Sequence, residues 1–121
     1  MENKAKFSAY FFQTTSGNVP VLDWIKELTV DDRKIIGKDI RKVELGGPQI
    51  GKPTVDSFGD GLYEVRSTIM DGKVEARILF TVSGSSLLLL HGFLKKSRAT
   101  SKHDKDVARQ RMAEAKRTKQ P

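Results

Sequence analysis

Two arginines, Arg66 and Arg77, are the residues whose spacing most directly indicates chemistry. Asp71-Gly72 between them is a strong signal for a two-residue type I′ hairpin, and counting outwards from that turn places Arg66 opposite Arg77. Like charges that face each other across a ladder destabilise it by up to about 1 kcal/mol. Held on a rigid sheet, two guanidinium forks can grip a phosphate. The alternative is a checkerboard, that is, an alternating pattern of exposed ion pairs between the arginines and Glu64 and Glu75, which lie diagonal to them. Such exposed ion pairs would contribute little to stability.

Three further residues lie at or near the end of the apolar run that predicts the last strand: His91, Lys95 and Lys96. The two lysines follow the strand directly, where they are either functional or protect an apolar strand from aggregation. His91 has two predicted positions, because the length of the turn at Ser83–Ser85 is open. With two loop residues His91 falls on the apolar face with Ile78, and with three it lies beside the arginines. It is therefore either a core residue or an acid–base group.

The familiar catalytic constellations are absent from the sequence. It has no Ser-His-Asp set with elbow glycines, no glycine-rich phosphate loop and no HExxH motif. The lack of cysteine and the presence of only two histidines exclude thiolate and His-rich zinc sites, so we predict no metal and no cofactor. Arginine, lysine and histidine can still stabilise the charge of a pentavalent phosphorus. RNA suits such a site because its own 2′-hydroxyl can serve as the nucleophile.

The excess positive charge is confined to the C-terminal end. The chain has 22 Lys and Arg against 15 Asp and Glu, which gives a net charge of +7. Residues 1–94 contain twelve bases and twelve acids, whereas residues 95–121 contain ten bases and three acids and so carry the whole excess. This asymmetry indicates that one end of the molecule faces a polyanion.

The length of 121 residues predicts a single domain over residues 1–121, with a flexible basic tail from about residue 117. No apolar run approaches the roughly 18 residues of a membrane span, and the N-terminus leads into no signal-peptide core. We therefore expect a cytoplasmic protein without a membrane partner.

Apolar periodicity and turn signals predict an α+β fold with helices packed on a small sheet. Residues 49–60 are expected to be loop. Asn18 and Thr29 are the expected caps of the two N-terminal helices. The predicted elements are a strand at 6–12, helices at 20–28 and 30–46, strands at 62–69, 74–82 and 87–94, and a helix at 104–116.

Three motifs closely resemble the RelE/ParE toxin superfamily, and in particular its phage-derived HigB-type branch. They are Gly61–Arg66, Ala76–Phe80 and Leu89–Lys96, in the family's order. Val19-Pro20-Val21 before Trp24 also resembles the family's first helix. The resemblance implies a RelE-like fold: a small, mostly antiparallel sheet packed with two N-terminal helices, plus a C-terminal helix.

The same resemblance implies the toxin of a type II toxin–antitoxin system, which enters the ribosomal A site and cleaves mRNA. Its partners would be the ribosome, mRNA and a helix-turn-helix antitoxin of the Xre/Cro type. By motif, the RNA-phosphate and catalytic candidates are Arg66, Arg77, Lys95 and Lys96, with His91 as a possible acid–base. The sequence departs from the family where Thr100 is followed by Ser101 and not by proline.

Arg98 and Lys102, in the basic tail, are predicted to bind RNA, and the remaining tail charge is interpreted as sequence-blind attraction to ribosomal RNA. Because Arg66 and Arg77 are interpreted as an exposed pair, their removal is expected to leave the fold intact.

Two other functions stay open, since a fold does not by itself imply an activity. One is a non-catalytic inhibitor of DNA gyrase, as in the ParE branch of the same fold. The other is an accessory protein that binds nucleic acid through its basic tail and has no activity.

Overall fold

The computed structural model describes residues 4–95 and 99–121. Its helices and strands are, in chain order, β1 (Ser8–Phe11), α1 (Pro20–Lys26), α2 (Val30–Gly46), β2 (Val55–Gly59), β3 (Leu62–Ile69), β4 (Val74–Ser83), β5 (Ser86–Leu94) and α3 (Lys102–Arg117). A single 3-10 turn at Pro48–Ile50 lies between α2 and β2. This arrangement confirms the predicted α+β class and is consistent with a RelE-like fold.

The five strands form one sheet in the order β1-β5-β4-β3-β2. β1 runs parallel to β5, and the other neighbours are antiparallel. β2 lies inside residues 49–60, so the expectation of a loop there was wrong. A five-residue edge strand with a single buried side chain, Val55, has little periodicity of its own and forms because β3 offers it a ladder.

Local side chains explain where the helices begin. The hydroxyl of Thr29 accepts a hydrogen bond from the backbone N–H three residues further on, at 3.2 Å, and so caps α2 as predicted. Ser101 caps α3 in the same way at 3.1 Å, which starts this helix two residues earlier than expected. Asn18 does not cap α1. Val19 holds that position without a side-chain bond, and Pro20 occupies the first turn, where its missing N–H costs nothing.

The β3–β4 hairpin has the predicted register. Asp71 and Gly72 have φ values of 56° and 80°, the positive values that a type I′ turn requires. Arg66 therefore lies directly opposite Arg77, and Tyr63 lies opposite Phe80.

The β4–β5 pairing contains an irregularity that moves His91. The turn has two loop residues, yet His91 pairs with Leu79 and not with Ile78, because the register shifts after Leu89 pairs with Phe80. Leu90 is the extra residue of this bulge. Since a shift by one residue turns every later side chain to the other face, His91 joins the face that carries the arginines. The prediction that a two-residue turn places His91 on the apolar face was wrong, since it assumed uninterrupted pairing.

Two apolar layers lie on opposite sides of the sheet. The layer on the side of α1 and α2 includes Val21, Ile36, Val65, Ile78, Phe80 and Leu87. The layer on the side of α3 consists of Phe12, Leu62, Leu79, Leu88, Leu90, Ala108, Met112 and Ala115. At Gly92 the first layer is so tight that a Cβ atom would lie 2.5 Å from the ring of Trp24.

The chain after α3 turns back onto the loop that follows β1. The side-chain amide of Gln120 exchanges two hydrogen bonds with the backbone of Gln13, at 3.0 and 2.8 Å. The tail, for which the sequence predicts flexibility, thus has a defined contact. Within the two described ranges, no helix is long and apolar enough to cross a membrane.

Candidate functional site

The end of the sheet where β3, β4 and β5 meet holds most of the predicted functional residues. Arg66 and Arg77 face each other across β3 and β4. Lys95 follows β5, and its backbone N–H donates to the carbonyl of Glu75 at 2.8 Å, which holds it beside β4. Two other candidates, Lys96 and Arg98, lie outside the described residues.

Arg77 is buried, with 2% of its surface exposed. Its Nη1 donates to Oε1 of Glu64 at 2.7 Å, and Glu64 is completely buried. The expectation that the two arginines form an exposed pair was therefore wrong for Arg77, and so was the alternative of a solvated checkerboard. The strand pattern could not show this, because burial depends on packing between distant segments, as in the hydrogen bond from Thr100 to Glu64.

Glu64 explains why the sheet tolerates opposed arginines. One of its oxygens accepts from Nη1 of Arg77 and from Nε of Arg66, the latter at 3.4 Å, and the other accepts from the hydroxyl of Thr100. One buried carboxylate thus lies between two guanidinium groups and compensates their repulsion. Such a buried charge is stable only while its partners are present.

Arg66 is the accessible arginine of the pair, with 28% of its side chain exposed. Its Nη2 donates to Asp56 Oδ2 at 2.8 Å, while its Nε faces Glu64. These two bonds hold the guanidinium in one orientation and leave part of it open to solvent. Asp56 was not among the predicted site residues, because its segment, residues 49–60, was predicted to be loop. The tilt of Arg66 toward that strand depends on pairing that only the folded sheet supplies.

Glu75 places a carboxylate among these cations. Its Oε2 accepts from Nη2 of Arg77 at 3.0 Å and lies 3.7 Å from Nζ of Lys95, and 49% of its side chain is exposed. The hydrogen bond from Arg77 lowers the pKa of Glu75 and desolvation opposes this shift, while the charges of Arg77, Lys95 and Arg66 lower the pKa further. Glu75 is therefore an anion at neutral pH that solvent and ligands can reach.

His91 lies on the same face of the sheet as the arginines, next to α3. Both of its ring nitrogens have hydrogen-bond partners. Nε2 lies 2.7 Å from Asp104 Oδ1, and Nδ1 lies 3.4 Å from Nη1 of Arg111, which also donates to the carbonyl of Leu90 at 2.7 Å. Because an arginine can only donate, the partners assign Nε2–H as the donor to Asp104 and Nδ1 as the acceptor.

Burial lowers the pKa of His91, although the hydrogen bond with Asp104 opposes this shift. The ring is therefore neutral at neutral pH, and in this arrangement neither nitrogen is available to a substrate. His91 acts here as a link between the β5 bulge and α3. Ser101, three residues before Asp104, signals the start of that helix, and this pattern in the sequence could have placed Asp104 in the first turn of α3.

Lys102, the remaining RNA-binding candidate, lies at the start of α3 with 89% of its side chain exposed. Its Nζ lies 2.7 Å from Asp106 one turn further on, and this contact raises the pKa of Lys102. Lys102 is charged and accessible, but no other predicted site residue contacts it in the described part of the chain.

A cleft of about 350 Å³ opens beside Arg66. Its lining residues come from α2, from the segment before β2, and from β3 and β4, and they are Ile35, Asp39, Pro53, Thr54, Arg66, Thr68 and Glu75. The cleft brings the accessible arginine and the exposed carboxylate to one concave surface. Over residues 4–95 and 99–121, no group of three or more His, Cys, Asp and Glu side chains is arranged to hold a metal ion.

Sequence comparison gives one family. Residues 23–113, which are 91 of the 121 residues, match the family described as phage derived protein Gp49-like (DUF891). No curated protein matches the chain. The matched range begins inside α1 and includes α2, all of β2 to β5 and most of α3, so it contains the candidate site. The chain therefore belongs to the Gp49-like family of phage-derived proteins, a type II toxin family of the RelE/HigB-like kind.

Proposed function

We propose that this protein is a HigB-type toxin of a type II toxin–antitoxin system and cleaves mRNA on the ribosome, in the cytoplasm. The observation that carries the proposal is the meeting of Arg66 and Glu75 on one cleft. A partly exposed guanidinium, oriented by two carboxylates, stands beside an accessible carboxylate that is ionised at neutral pH. This pairing supplies a phosphate ligand and a proton acceptor without any metal ligand.

The reaction is an attack of the RNA's own 2′-oxygen on the adjacent phosphorus. Glu75 orients the 2′-hydroxyl and accepts its proton, while the bond from phosphorus to the 5′-oxygen breaks and a 2′,3′-cyclic phosphate forms. Arg66 and Lys95 stabilise the negative charge on the phosphate oxygens. The ammonium group of Lys95 gives a proton to the departing 5′-oxygen. Arg77 is a positioning residue, because it is buried and acts through Glu64 and Glu75.

The lowered pKa of Glu75 makes it a weak base, and this agrees with dependence on the ribosome. A general base works best when its pKa lies near the working pH, so Glu75 alone should give slow cleavage of free RNA. Binding in the A site would supply the orientation of the 2′-hydroxyl that the toxin lacks by itself. The basic α3, which has six bases and three acids, supplies attraction to ribosomal RNA.

The proposal is tested by mapping mRNA 5′ ends in translating cells and in cells whose translation is arrested, after induction of the protein. We expect new ends only in translating cells. Arg66→Gln should remove at least about nine-tenths of them, since one phosphate-stabilising group in such a site contributes ten-fold or more to the rate. Arg41→Gln is the matched control, because Arg41 is also a partly exposed arginine with a carboxylate partner, Glu44. Unchanged ends with Arg66→Gln would contradict the proposal.

The proposed antitoxin is a small helix-turn-helix protein of the Xre/Cro type. Its co-expression should restore growth, and it should co-purify with the toxin.

The alternative function is a non-catalytic inhibitor of DNA gyrase. It is favoured by one observation: Arg77 is buried and both nitrogens of His91 are engaged, so few free acid–base groups remain. Gyrase poisoning produces DNA breaks and an SOS response, whereas mRNA cleavage stops protein synthesis first. The order of these events after induction separates the two functions.

A further inference from the structure

The cleft beside Arg66 is larger than a phosphate requires, and its far walls have no part in the mechanism above. Its volume of about 350 Å³ lies at the lower end of the range for small-molecule sites, about 300–1,000 Å³. Ile35 and Pro53 supply apolar walls, and Asp39, Thr54 and Thr68 supply polar groups. The lining is thus mostly polar with two apolar residues, and a flat heterocycle that carries polar groups suits such a surface.

Asp39 is a hydrogen-bond acceptor held in one orientation. The hydroxyl of Ser67 donates to its Oδ2 at 2.7 Å, Nζ of Lys42 lies 3.2 Å from its Oδ1, and 15% of its side chain is exposed. An ionised carboxylate has only acceptor groups, and each oxygen can accept more than one hydrogen bond. Asp39 therefore selects a ligand edge that carries N–H groups and disfavours one lined by carbonyl oxygens.

Cations already neutralise both carboxylates of the cleft. Lys42 contacts Asp39, and Arg77 and Lys95 contact Glu75. A lysine or arginine side chain from a peptide would approach these cations and be repelled, whereas a neutral amino group would not. Arg66, on the same cleft, offers a place for an anion. The lining thus fits a ligand that has a phosphate at one end and an amino-bearing ring at the other.

We infer that this cleft binds the nucleotide next to the cleaved phosphate and selects a base with an exocyclic amino group, namely adenine, guanine or cytosine, over uracil. The phosphate lies at Arg66, the ring lies between Ile35 and Pro53, and the amino group donates to Asp39. This inference rests on the proposed function, because it assigns part of the RNA to a surface next to the reacting groups.

Nucleotide binding is measured by NMR, from the shifts of backbone amides when the purified protein is titrated with AMP, GMP, CMP and UMP. We expect amides near Ile35 and Thr68 to shift, with UMP the weakest ligand. Asp39→Asn should weaken the best of the other three by about ten-fold, since it replaces an ionised acceptor by a neutral amide. Asp71→Asn is the control, because it makes the same change of charge at the exposed tip of the β3–β4 hairpin.

A second variant keeps the test decisive if Asp39→Asn unfolds the protein. Thr68→Tyr leaves every charge in place and narrows the cleft from an exposed strand position, where an aromatic residue is well tolerated. It should abolish the shifts without lowering the melting temperature. Base preference is then read from the RNA ends produced on ribosomes, which should lose their discrimination against uridine in both variants.

In the titrations, the inference is overturned by the absence of nucleotide shifts in the cleft, by UMP bound as tightly as the others, or by variants that bind like the Asp71→Asn control. Preference for a basic peptide over all four nucleotides would assign the cleft to a protein partner instead. Cleavage of mRNA with an unchanged base preference in Asp39→Asn and Thr68→Tyr would overturn the subsite and leave the proposed function standing. Nucleotide binding does not require cleavage, so the two ideas can fail separately.

Discussion

The face of the sheet that meets α3 has two halves of opposite character. In one half, Leu62 and Leu79 pack with Met112 of the helix. In the other half, continuing along the same strands, Glu64 and Arg77 hold the same kind of inward position but carry charge. Both halves are buried, so burial alone does not separate them. The difference is that the charged half borders the cleft, where Arg66 and Glu75 reach solvent.

The charged half therefore supports the accessible residues and is not itself a binding surface. Glu64 and Arg77 are too deep to contact RNA, yet each bonds a residue that is accessible: Glu64 bonds Arg66, and Arg77 bonds Glu75. Buried side chains that fix the orientation of exposed ones make a site rigid at some cost in stability. The apolar half has no such function and only stabilises the fold.

Arg77→Ala, in the charged half of the sheet, should lower the stability of the fold more than any other change considered. It leaves the carboxylate of Glu64 buried without its 2.7 Å partner, which should lower the free energy of unfolding by about 3–5 kcal/mol. This prediction differs from the sequence-based expectation that removing either arginine spares the fold, because that expectation assumed an exposed Arg77. Arg66→Ala, at a partly exposed position, should cost no more than about 1 kcal/mol. Urea denaturation of both variants measures the difference, and equal losses would mean that the two arginines share one environment.

Gly92→Ala should give an intermediate effect on the opposite, apolar side of the sheet. The added Cβ atom would lie 2.5 Å from Cε3 of Trp24, so the ring must shift, and we expect a loss of about 1–3 kcal/mol in urea. Gly37→Ala is the matched control, because nothing lies within 4 Å of its added Cβ in the middle of α2. That variant should be neutral or more stable by up to about 1 kcal/mol. A neutral Gly92→Ala would show that Trp24 is loosely packed.

Glu75→Gln, at the exposed edge of the charged half, should have the smallest effect on stability, and this effect should depend on pH. The pKa of Glu75 is lower in the folded protein, so its contribution to stability is present above about pH 4.5, the ordinary value, and is lost as the pH falls through the lowered value. The wild-type melting temperature should therefore fall more steeply below pH 4.5 than that of the variant. Because half of the side chain is exposed, the difference is small. Parallel curves would show that Arg77 does not bond Glu75 in solution.

The parts of the fold that follow from neighbouring residues could be predicted. Asp71-Gly72 specifies a type I′ turn by its positive φ values, and this local signal carried the whole β3–β4 register, including the opposition of Arg66 and Arg77. Thr29 likewise predicted the start of α2 from local sequence, since its hydroxyl bonds the backbone N–H only three residues further on. The family resemblance added the class of fold, which these local signals do not give.

The errors at helix starts, at Asn18 and at Ser101, are local, and the others concern contacts between distant residues. The bulge at Leu90, which turns His91 toward α3, arises from the fit of β5 against β4 and has no signal in the turn before it. β2 and its Asp56 needed β3 as a partner. The acid–base role of His91 stays a prediction, and only the folded chain shows that Asp104 and Arg111, on another element, engage both its nitrogens.

The order of residues along the chain is enough to predict which residues share a face of the hairpin. It also shows that the excess positive charge lies after residue 94. Which of the two opposed arginines is accessible to solvent follows only from tertiary packing. Exposure depends on how a strand packs in the folded chain, and the buried Glu64 that bonds both arginines also accepts a hydrogen bond from Thr100, 36 residues away. The alternation of a strand predicts a face, but it does not predict whether that face meets solvent, a helix or a buried charge.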